Sequence, residues 1–502
     1  MGYLQIRRAP RGGARALLVI PPLVKYNAGP LLGPAMLVGA GRDAGHTLEL
    51  LDLNQAWLRA ELASDPLTAS PTLFVGDHDR PSEVLRRAQS SFSAQCRRHL
   101  SVEVGEIDDD PALTLTCEHD ALYTAAWSLA ASSEGRWIQT QLAGQAAPQL
   151  VGVSVMYSGQ VLWGLAVGIV ARRLWPGVQV VWGGAHVTAL AGEIAADARY
   201  GELIDGFVFG YAERSFVALL EAVARGDAPP WNRAGAGHVV QAEDDGAVVP
   251  RFSDLAAYDR ARLTLPAQSS RGCAYGRCAF CTYPAVEGRA RELPLGPTRA
   301  VVDQAEELRA LVSFKDSLLV APRLAAIASM IGGRVRWSAC TKLNAALADP
   351  RAMRDLATGG CATLEFGLET LVPDAQRLIG KQQSIGLFCR VLDAARSAEI
   401  SVVINYITGF PGVDAGEDRR WLDRVRAEFA ARPGLIAKLE HNRFQLERRS
   451  PMGMAPELHG LQVTRRWPWA SVMGWRPTAP FVPELASTIT VDSVNGTGGL
   501  QR

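Results

Sequence analysis

Short apolar runs alternate with longer amphipathic stretches along most of the chain, and this alternation predicts strands that are each followed by a helix. The predicted strands are apolar almost throughout, which is typical of a parallel sheet covered by helices on both faces. We therefore expect residues 1–225 to form an α/β domain. Its predicted strands lie at 16–20, 47–53, 150–156, 178–182 and 206–209, and its predicted helices at 31–44, 161–175, 193–198 and 216–225.

Two segments interrupt this alternation in the first half of the chain. Residues 55–147 mix helical stretches with unpatterned polar ones, and we interpret them as an insertion of unknown role. Residues 226–264 begin with the helix-breaking run GDAPPW and contain a predicted hairpin over 238–250 that turns at Asp245-Gly246. This second segment is expected to link two domains.

A second alternating series occupies residues 265–445 and predicts a full or partial α/β barrel. Residues 446–502 lack such a pattern and are expected to form an irregular C-terminal extension. Within the barrel, the predicted strands lie at 312–314, 335–338, 363–367, 402–406 and 437–439, and the predicted helices include 299–311 and 350–358.

The composition is that of an ordinary globular protein and limits the choice of partners. Of the 502 residues, 48% are hydrophobic and 21% are charged, which excludes a wholly disordered chain. The 52 Lys and Arg residues nearly balance the 51 Asp and Glu residues, so no overall positive field is available to hold nucleic acid or a membrane. The most apolar stretch, 161–171, is too short to span a bilayer, and no secretory signal is evident. We therefore expect a cytoplasmic protein.

Three of the eight cysteines, Cys273, Cys278 and Cys281, fall within nine residues in the spacing C-x4-C-x2-C. Gly272 and Gly276 let such a loop curl, and three thiolates this close can hold three irons of a [4Fe–4S] cluster. The fourth iron is then open to a substrate or a cofactor. A structural zinc knuckle is the alternative metal site, but zinc needs a fourth ligand and the loop contains no His. A loop of unrelated thiols is the weakest alternative, because the spacing is so close.

Polar and glycine-rich turns follow the predicted strands of the first half. The carboxyl ends of parallel strands share one edge of the sheet, and ligands of such sheets bind beyond that edge. The sequence therefore predicts a ligand site there. The turns are Pro21-Pro22 and the segments 154–158, 183–188 and 210–213.

These features together resemble the cobalamin-binding subfamily of radical S-adenosylmethionine (SAM) enzymes. The usual triplet of that family is C-x3-C-x2-C, often with an aromatic residue before the last cysteine, as Phe280 is here; this chain has one more residue between the first two cysteines. The resemblance covers most of the chain and implies a Rossmann-like cobalamin-binding domain followed by a radical SAM partial (β/α)6 barrel. Similar segments follow in the family's order: GGAHVT at 183–188, GYAE at 210–213, FKDS at 314–317, EFGLET at 365–370, RLIGK at 377–381 and GFPG at 409–412.

The resemblance also implies where three cofactors bind. The three clustered cysteines would ligate the [4Fe–4S] cluster. SAM would lie against Phe280, Asp316, Glu369, Asn405, Gly409 and Phe410, although a bond to a neighbouring strand is an equally open role for Asn405. Cobalamin would lie against Ser154, Tyr157, Gly183, Gly184, His186, Thr188, Gly210 and Glu213.

Three residues of the cobalamin set carry a more specific expectation. We expect His186 to line the cofactor loop and not to bind cobalt, because its surroundings lack the aspartate two positions before it and the glycine three positions after it that the pattern D-x-H-x-x-G requires. We expect Gly183 and Gly184 to lie against the corrin or its nucleotide tail, where a Cβ atom would collide with the cofactor.

The chemistry that the resemblance implies is a radical reaction. The reduced cluster passes an electron to SAM, a 5′-deoxyadenosyl radical removes hydrogen from an unactivated carbon, and in most cobalamin-dependent members methylcobalamin then supplies a methyl group. We therefore expect a C-methyltransferase that acts on a natural-product intermediate or a peptide precursor, with a reductase or a flavodoxin-type protein as electron donor. The alternatives are a radical SAM enzyme that catalyses a rearrangement, cyclisation or oxidation, and a non-catalytic cobalamin or iron–sulfur binding protein.

Overall fold

The chain divides into two compact units. The first comprises Met1–Leu263 together with Trp467–Ser471, and the second comprises Thr264–Arg466 together with Val472–Arg502. The structure is a computed structural model that describes residues 12–23, 29–64, 74–75, 80–81, 83–100, 115–190, 198–227, 237–240, 248–258 and 263–478.

The first unit is an α/β domain. Its strands are β1 (Arg15–Ile20), β2 (Thr47–Asp52), β3 (Phe74–Val75), β4 (Arg80–Pro81), β5 (Leu150–Ser154), β6 (Gln179–Gly183), β7 (Gly206–Phe209) and β8 (Gly237–Val240). Its helices are α1 (Leu32–Asp43), α2 (Leu53–Ser64), α3 (Glu83–His99), α4 (His119–Ala131), α5 (Ser133–Ala143), α6 (Val161–Leu174), α7 (Ala185–Ala189) and α8 (Glu213–Arg225). Six of the strands form a parallel sheet in the order β2-β1-β5-β6-β7-β8, while β3 and β4 form a small antiparallel pair.

Both faces of this sheet are covered, as the apolar strands predict. Successive side chains of a strand point to opposite faces. In β1, Leu17 and Val19 therefore join the core that α2 to α6 build on one face, while Leu18 joins the core under α1 and α8 on the other. Each fully buried side chain of this size stabilises the fold by about 1.5–3 kcal/mol.

The two interrupting segments both contribute to the first unit. Residues 55–147 supply most of α2 and all of α3, α4 and α5, and buried residues of α4 such as Leu122 and Leu129 share a core with α6. The hairpin expected over 238–250 is wrong in its first strand, because β8 pairs in parallel with β7 and extends the main sheet. The rest of that turn, 241–247, and most of the helix expected at 193–198 lie outside the described residues.

The second unit contains the predicted barrel strands. Its strands are β9 (Thr264–Ala267), β10 (Ser270–Arg271), β11 (Arg291–Glu292), β12 (Leu311–Phe314), β13 (Trp337–Thr341), β14 (Cys361–Glu369), β15 (Ser401–Thr408), β16 (Ala437–Arg443), β17 (Leu446–Glu447), β18 (Leu461–Arg466) and β19 (Val472–Pro477). Its helices are α9 (Tyr283–Glu287), α10 (Leu295–Leu308), α11 (Ala321–Ile331), α12 (Pro350–Thr358), α13 (Pro373–Ile379), α14 (Ile385–Ser397), α15 (Ala415–Ala430) and α16 (Pro451–Met454).

Six of these strands form a parallel sheet whose spatial order follows the chain, β9-β12-β13-β14-β15-β16. Each strand is joined to the next by at least one helix, so the expectation of a partial (β/α)6 barrel is confirmed. Apolar and polar residues alternate along β14. Leu364, Phe366 and Leu368 are fully buried, while Glu365 and Glu369 are partly buried and face the opposite side. β14 therefore has one apolar and one polar face.

The C-terminal region is more ordered than expected. Instead of an irregular extension, β17, β19 and β18 form a three-stranded antiparallel sheet. The sequence does not predict this sheet because its strands are short, and because a register shift between Val463 and Arg465 breaks the period-two pattern. No helix among the described residues has both the length and the apolar character needed to cross a bilayer.

Candidate functional site

The cysteine triplet lies on the loop between β10 and α9, which follows the carboxyl end of β9. All three thiols are half-buried. The loop depends on Gly272, which has a φ of +68° and whose missing Cβ would lie 2.7 Å from the carbonyl oxygen of Arg289. Gly276 has a φ of +58°, and its N–H donates to the sulfur of Cys273 at 3.5 Å. Glycine is the residue that adopts such left-handed conformations without strain.

The donor set of this loop fits an iron–sulfur cluster. Burial raises the pKa of Cys278 to about 11 and that of Cys281 to about 12, so cluster binding has to displace their protons. The loop offers three soft thiolate ligands and no imidazole, which is the donor set of a [4Fe–4S] cluster with one open iron. Among the described residues, no three His, Cys, Asp and Glu side chains are already grouped to hold a single metal ion.

Asp316 supports the backbone that leads into the loop. Its Oδ1 accepts hydrogen bonds from the N–H of Ser269 at 3.0 Å and from the hydroxyl of Ser270 at 2.6 Å. Burial raises the pKa of Asp316 to about 6, against the opposing effect of these donors. The structure thus gives Asp316 a structural role, and its contact with SAM stays a prediction.

Two further side chains hold the loop, and the sequence analysis missed both. Glu287 accepts hydrogen bonds from the N–H of Gly272 at 3.2 Å and from the hydroxyl of Ser317. Arg323 is buried and donates to the carbonyl oxygens of Ser269 at 2.6 Å and Leu293 at 2.5 Å. Neither residue belongs to a recognisable motif, so no local signal in the sequence could have identified it.

Glu369 lies at the carboxyl end of β14, as the resemblance implies. It has a φ of +64°, which is unusual for a residue other than glycine, and the strand register shifts between Gly367 and Glu369. Its Oε1 is 2.8 Å from the Nζ of Lys381, and both side chains are largely buried. A Cβ atom at Gly367 would lie 2.7 Å from this Nζ, so the glycine makes room for the ion pair.

The end of α13 connects this ion pair to the cluster loop. The N–H of Ala279 donates to the carbonyl of Ile379 at 3.0 Å, and the hydroxyl of Tyr275 donates to the carbonyl of Gly380 at 2.5 Å. Lys381 follows immediately. Burial alone would lower the pKa of Lys381, but Glu369 and the nearby Cys278 outweigh it and raise the pKa. The loop, the helix end and the ion pair therefore form one connected assembly.

The remaining residues predicted to contact SAM lie on β15, follow it or precede the last cysteine. Asn405 donates to Glu365 on the neighbouring strand at 2.7 Å, which is the strand-bonding role left open by the sequence. The N–H of Gly409 donates to Asp418 at 2.6 Å, and Gly409 has a φ of +79°. The rings of Phe280 and Phe410 pack edge to face with centroids 5.8 Å apart. These two predicted residues are thus brought together.

A second candidate site is a cleft in the first unit, at the carboxyl ends of β5, β6 and β7. It contains about 680 Å³ of empty space, including the part open to solvent. Such an edge, beside the point where the strand order reverses between β1 and β5, is where doubly wound sheets bind ligands. Apolar residues of α1 and α8 line part of the cleft. Five predicted cobalamin residues also line it: Ser154, Gly183, Gly184, Gly210 and Glu213.

Three predicted cobalamin residues do not line this cleft. Tyr157 precedes the turn before α6 and is 38% exposed. His186 is buried, with its Nε2 2.8 Å from the carbonyl oxygen of Trp469. Thr188 accepts a hydrogen bond from the N–H of Gly210 at 2.8 Å and donates to the carbonyl of Gly184 at 3.0 Å, so it ties two cleft loops together.

The reason expected for Gly184 needs correction. Its φ is +111°, and a Cβ atom there would overlap the backbone carbonyl of Val155. The protein's own backbone therefore requires glycine at this position, with or without a cofactor. Gly33 differs, because it lines the same cleft and a Cβ atom there would meet no atom within 4 Å.

The lining of the cleft bears on what it can hold. Apolar groups and glycine leave room for a ring system of cobalamin to approach the sheet edge, and the opening to solvent leaves space for the rest of so large a molecule. The lining offers few polar partners beyond backbone groups. These residues fit cobalamin by shape, whereas the cysteine loop fits its cluster by donor chemistry.

Comparison with protein-family models matches residues 268–425 to the Radical SAM superfamily. The comparison with curated protein sequences gave no match. The radical SAM domain expected from the sequence is confirmed over these residues, and it supports an enzyme over a non-catalytic binding protein.

Solved structures give the same fold over nearly the whole chain. TsrM from Kitasatospora setae, a radical SAM methyltransferase solved with cobalamin and a [4Fe–4S] cluster, is 18% identical with a TM-score of 0.59; the match covers 90% of this chain and 81% of TsrM. TsrM with tryptophan substrate and the SAM analogue aza-SAM is 17% identical with a TM-score of 0.60, over 96% of this chain and 90% of TsrM. OxsB, a cobalamin-dependent SAM radical enzyme solved with aqua-cobalamin, is 12% identical with a TM-score of 0.59, over 92% of this chain and 64% of OxsB.

Proposed function

We propose that this chain, which contains a radical SAM domain and has the fold of cobalamin-dependent radical SAM enzymes, is a C-methyltransferase that acts on an unactivated carbon of a natural-product intermediate or a peptide precursor. The observation that carries the proposal is the pairing, in one chain, of a three-thiol loop on a radical SAM barrel with an open cleft on a parallel sheet. When bound, a [4Fe–4S] cluster and SAM supply radical chemistry, and cobalamin supplies a methyl carrier.

The cluster loop and the barrel mouth would hold the cluster and SAM. Cys273, Cys278 and Cys281 would give three thiolates from a half-buried loop. Glu369 would accept a hydrogen bond from a cationic group of SAM, with Lys381 fixing its orientation at 2.8 Å. The aromatic pair Phe280 and Phe410 would offer a flat apolar surface beside them.

The cleft of the first unit would hold part of cobalamin. Backbone groups of Gly183 and Gly210, with no side chain in the way, let a large ring approach the sheet edge closely. His186 would not serve as a cobalt ligand, because its side chain is buried, lies 2.8 Å from the carbonyl oxygen of Trp469 and does not line the cleft. TsrM and OxsB, both solved with a cobalamin bound, support this assignment.

A radical SAM enzyme without methyl transfer is the second candidate. OxsB, a cobalamin-dependent SAM radical enzyme, matches with the same TM-score as the methyltransferase TsrM, so the fold is equally compatible with this candidate. The substrate would then undergo rearrangement, cyclisation or oxidation, and the binding residues would be the same. A reductase or flavodoxin-type electron donor and a cytoplasmic location stay predictions for either candidate.

Anaerobic reconstitution with SAM carrying a deuterated methyl group would test the proposal. We expect 5′-deoxyadenosine with and without cobalamin, and a labelled methyl group on the product only with cobalamin. Mass spectrometry of the small molecules, with candidate substrates taken from neighbouring biosynthetic genes, measures both. Labelled SAM that yields 5′-deoxyadenosine and a product of unchanged carbon count would replace the first candidate with the second.

A further inference from the structure

The spacer between Cys273 and Cys278 contains one residue more than the usual motif, and its Tyr275 makes two contacts. Its hydroxyl donates to the carbonyl of Gly380 at 2.5 Å. Its ring lies under the Nζ of Lys342, which is 3.7 Å from the ring centroid. A cation over an aromatic face is stabilised by about 0.5–2 kcal/mol, depending on how far it is desolvated. Tyr275 therefore joins the cluster loop to two other elements of the barrel mouth.

Lys342 differs from Lys381 in how its charge is balanced. Lys381 pairs with Glu369, whereas Lys342 forms no ion pair with a carboxylate of the described residues. It follows the carboxyl end of β13, next to the strand that ends in Glu369. Its ammonium group is half-buried, and burial together with Lys381 lowers its pKa, while Cys278 and Cys273 oppose that change. Tyr275 lies between Cys273 and Cys278, so its contact with Lys342 places the ammonium group beside the loop that carries the predicted cluster ligands.

The ammonium groups of Lys342 and Lys381 and the carboxylate of Glu369 together leave a net positive charge beside the cysteine loop. Like charges held in a partly buried place repel each other unless a negative charge lies close by. A cluster bound through three thiolates is such a negative charge, and it becomes more negative when it accepts an electron. The potentials of iron–sulfur clusters depend on the charges and hydrogen bonds around them.

We propose that Tyr275 is a positioning residue which holds the Lys342 ammonium group beside the cluster loop, and that this charge favours the reduced state of the cluster. The inference rests on the proposed function only in requiring that a [4Fe–4S] cluster binds at the three cysteines. It assigns a role to one residue of the longer spacer of this chain. It does not depend on methyl transfer, on cobalamin binding or on the identity of the substrate.

Redox titration of the reconstituted cluster, without SAM or substrate, tests this role. At the wild-type midpoint, Lys342→Met should lower the ratio of reduced to oxidised cluster about tenfold, which for one electron is a shift of about 59 mV to more negative potential. Lys342→Arg keeps the charge and should titrate like the wild type. Tyr275→Leu should shift the midpoint in the same direction but less, whereas Tyr275→Phe keeps the ring and should not shift it.

The double variant Tyr275→Leu/Lys342→Met separates positioning from a direct effect of the tyrosine. If Tyr275 acts through Lys342, the double variant should titrate like Lys342→Met alone. An unchanged midpoint in Lys342→Met, or fully additive shifts in the double variant, would overturn the inference. Iron is quantified in every variant, and Lys342→Gln replaces Lys342→Met if that variant loses iron. A wild-type protein that binds no cluster would overturn this inference and the proposed function together.

Discussion

The two candidate sites of the molecule are built in opposite ways. The cysteine loop is held by charged and polar side chains, among them Asp316, Glu287 and Arg323, each of which meets a specific backbone group. The cleft of the first unit is shaped by glycines and apolar side chains, and the hydroxyl of Thr188 ties two of its loops together. A site of the first kind needs particular residue types, while a site of the second kind needs only space. Substitutions should therefore act through chemistry in the loop and through volume in the cleft.

The largest effect is expected from replacing Cys273, Cys278 and Cys281 together by Ala. Because the loop offers no other soft ligand, iron in the reconstituted protein should fall from about four atoms per chain to none, and the charge-transfer absorbance should disappear. Cobalamin binding should persist, since the cleft belongs to the first unit. Iron analysis and absorbance spectra measure the change. Cys389→Ala, on α14, is the control that should keep its iron, and zinc bound in place of iron would contradict the cluster.

Filling the cleft at Gly33 should weaken cobalamin binding and leave the cluster intact. Gly33→Trp places a large side chain where a Cβ meets no other atom, so the cleft loses volume without a backbone collision. We expect affinity to fall by more than about tenfold, or about 1.4 kcal/mol. Equilibrium binding of hydroxocobalamin, followed by its absorbance, measures this.

Gly33→Ala is the matched control and should bind cobalamin normally. Gly184→Trp is a poor alternative, because the collision with the Val155 carbonyl would unfold the loop itself. Undiminished cobalamin binding by Gly33→Trp would move the cobalamin site away from this cleft.

Breaking the Glu369–Lys381 pair should weaken SAM binding and stability at the same time. Glu369→Gln leaves the buried ammonium of Lys381 without its charge partner, a change that costs about 3–5 kcal/mol for buried pairs. Iron content should stay near normal, because Glu369 is not on the cysteine loop. Calorimetric titration with SAM and chemical denaturation measure the two effects.

The double variant Glu369→Gln/Lys381→Met separates them. It should recover stability, because no unpaired charge remains, but it should not recover SAM binding. If both variants bind SAM as the wild type does, Glu369 does not belong to the SAM site.

The smallest effect concerns pH and Asp316. Burial raises its pKa from about 3.8 unfolded to about 6 folded. A raised folded pKa means that the folded protein takes up the proton first, so its contribution to stability is present at low pH and is lost as the pH rises through about 6. A shift of about two units corresponds to at most about 3 kcal/mol.

Asp316→Asn cannot titrate and should lack this contribution. The difference in free energy of unfolding between wild type and variant should therefore grow in favour of the wild type as the pH falls from about 7 to about 4. Urea denaturation of the metal-free protein at a series of pH values measures it. If the free energies of unfolding of the two proteins change with pH in the same way, burial does not raise the pKa of Asp316.

The sequence predicted the order of elements well, because parallel strands are apolar throughout and stand out from amphipathic helices. The strand at 206–209 and the helix at 350–358 agree with β7 and α12 residue for residue. The cysteine loop and the place of Glu369 at a strand end were also predictable, since both depend on short motifs. What was missed depends on partners far apart in the chain: Arg323 bonds to Ser269, and Lys342 contacts Tyr275. Such pairs leave no local pattern, and neither does the collision that explains Gly184.

The short segment Trp467–Ser471 has a consequence for the order of synthesis. It completes the first unit, where the ring of Trp469 packs 5.8 Å from that of Trp182 and 5.1 Å from that of Tyr200. The ribosome makes this segment about 200 residues after the rest of the unit, a delay on the order of ten seconds or more at ordinary translation rates. The part of the protein that emerges first is therefore finished last. A nascent chain stopped anywhere in the barrel would carry a first unit without Trp469. Its core would lack the indole ring of that residue, and His186 would lack the carbonyl oxygen that it contacts.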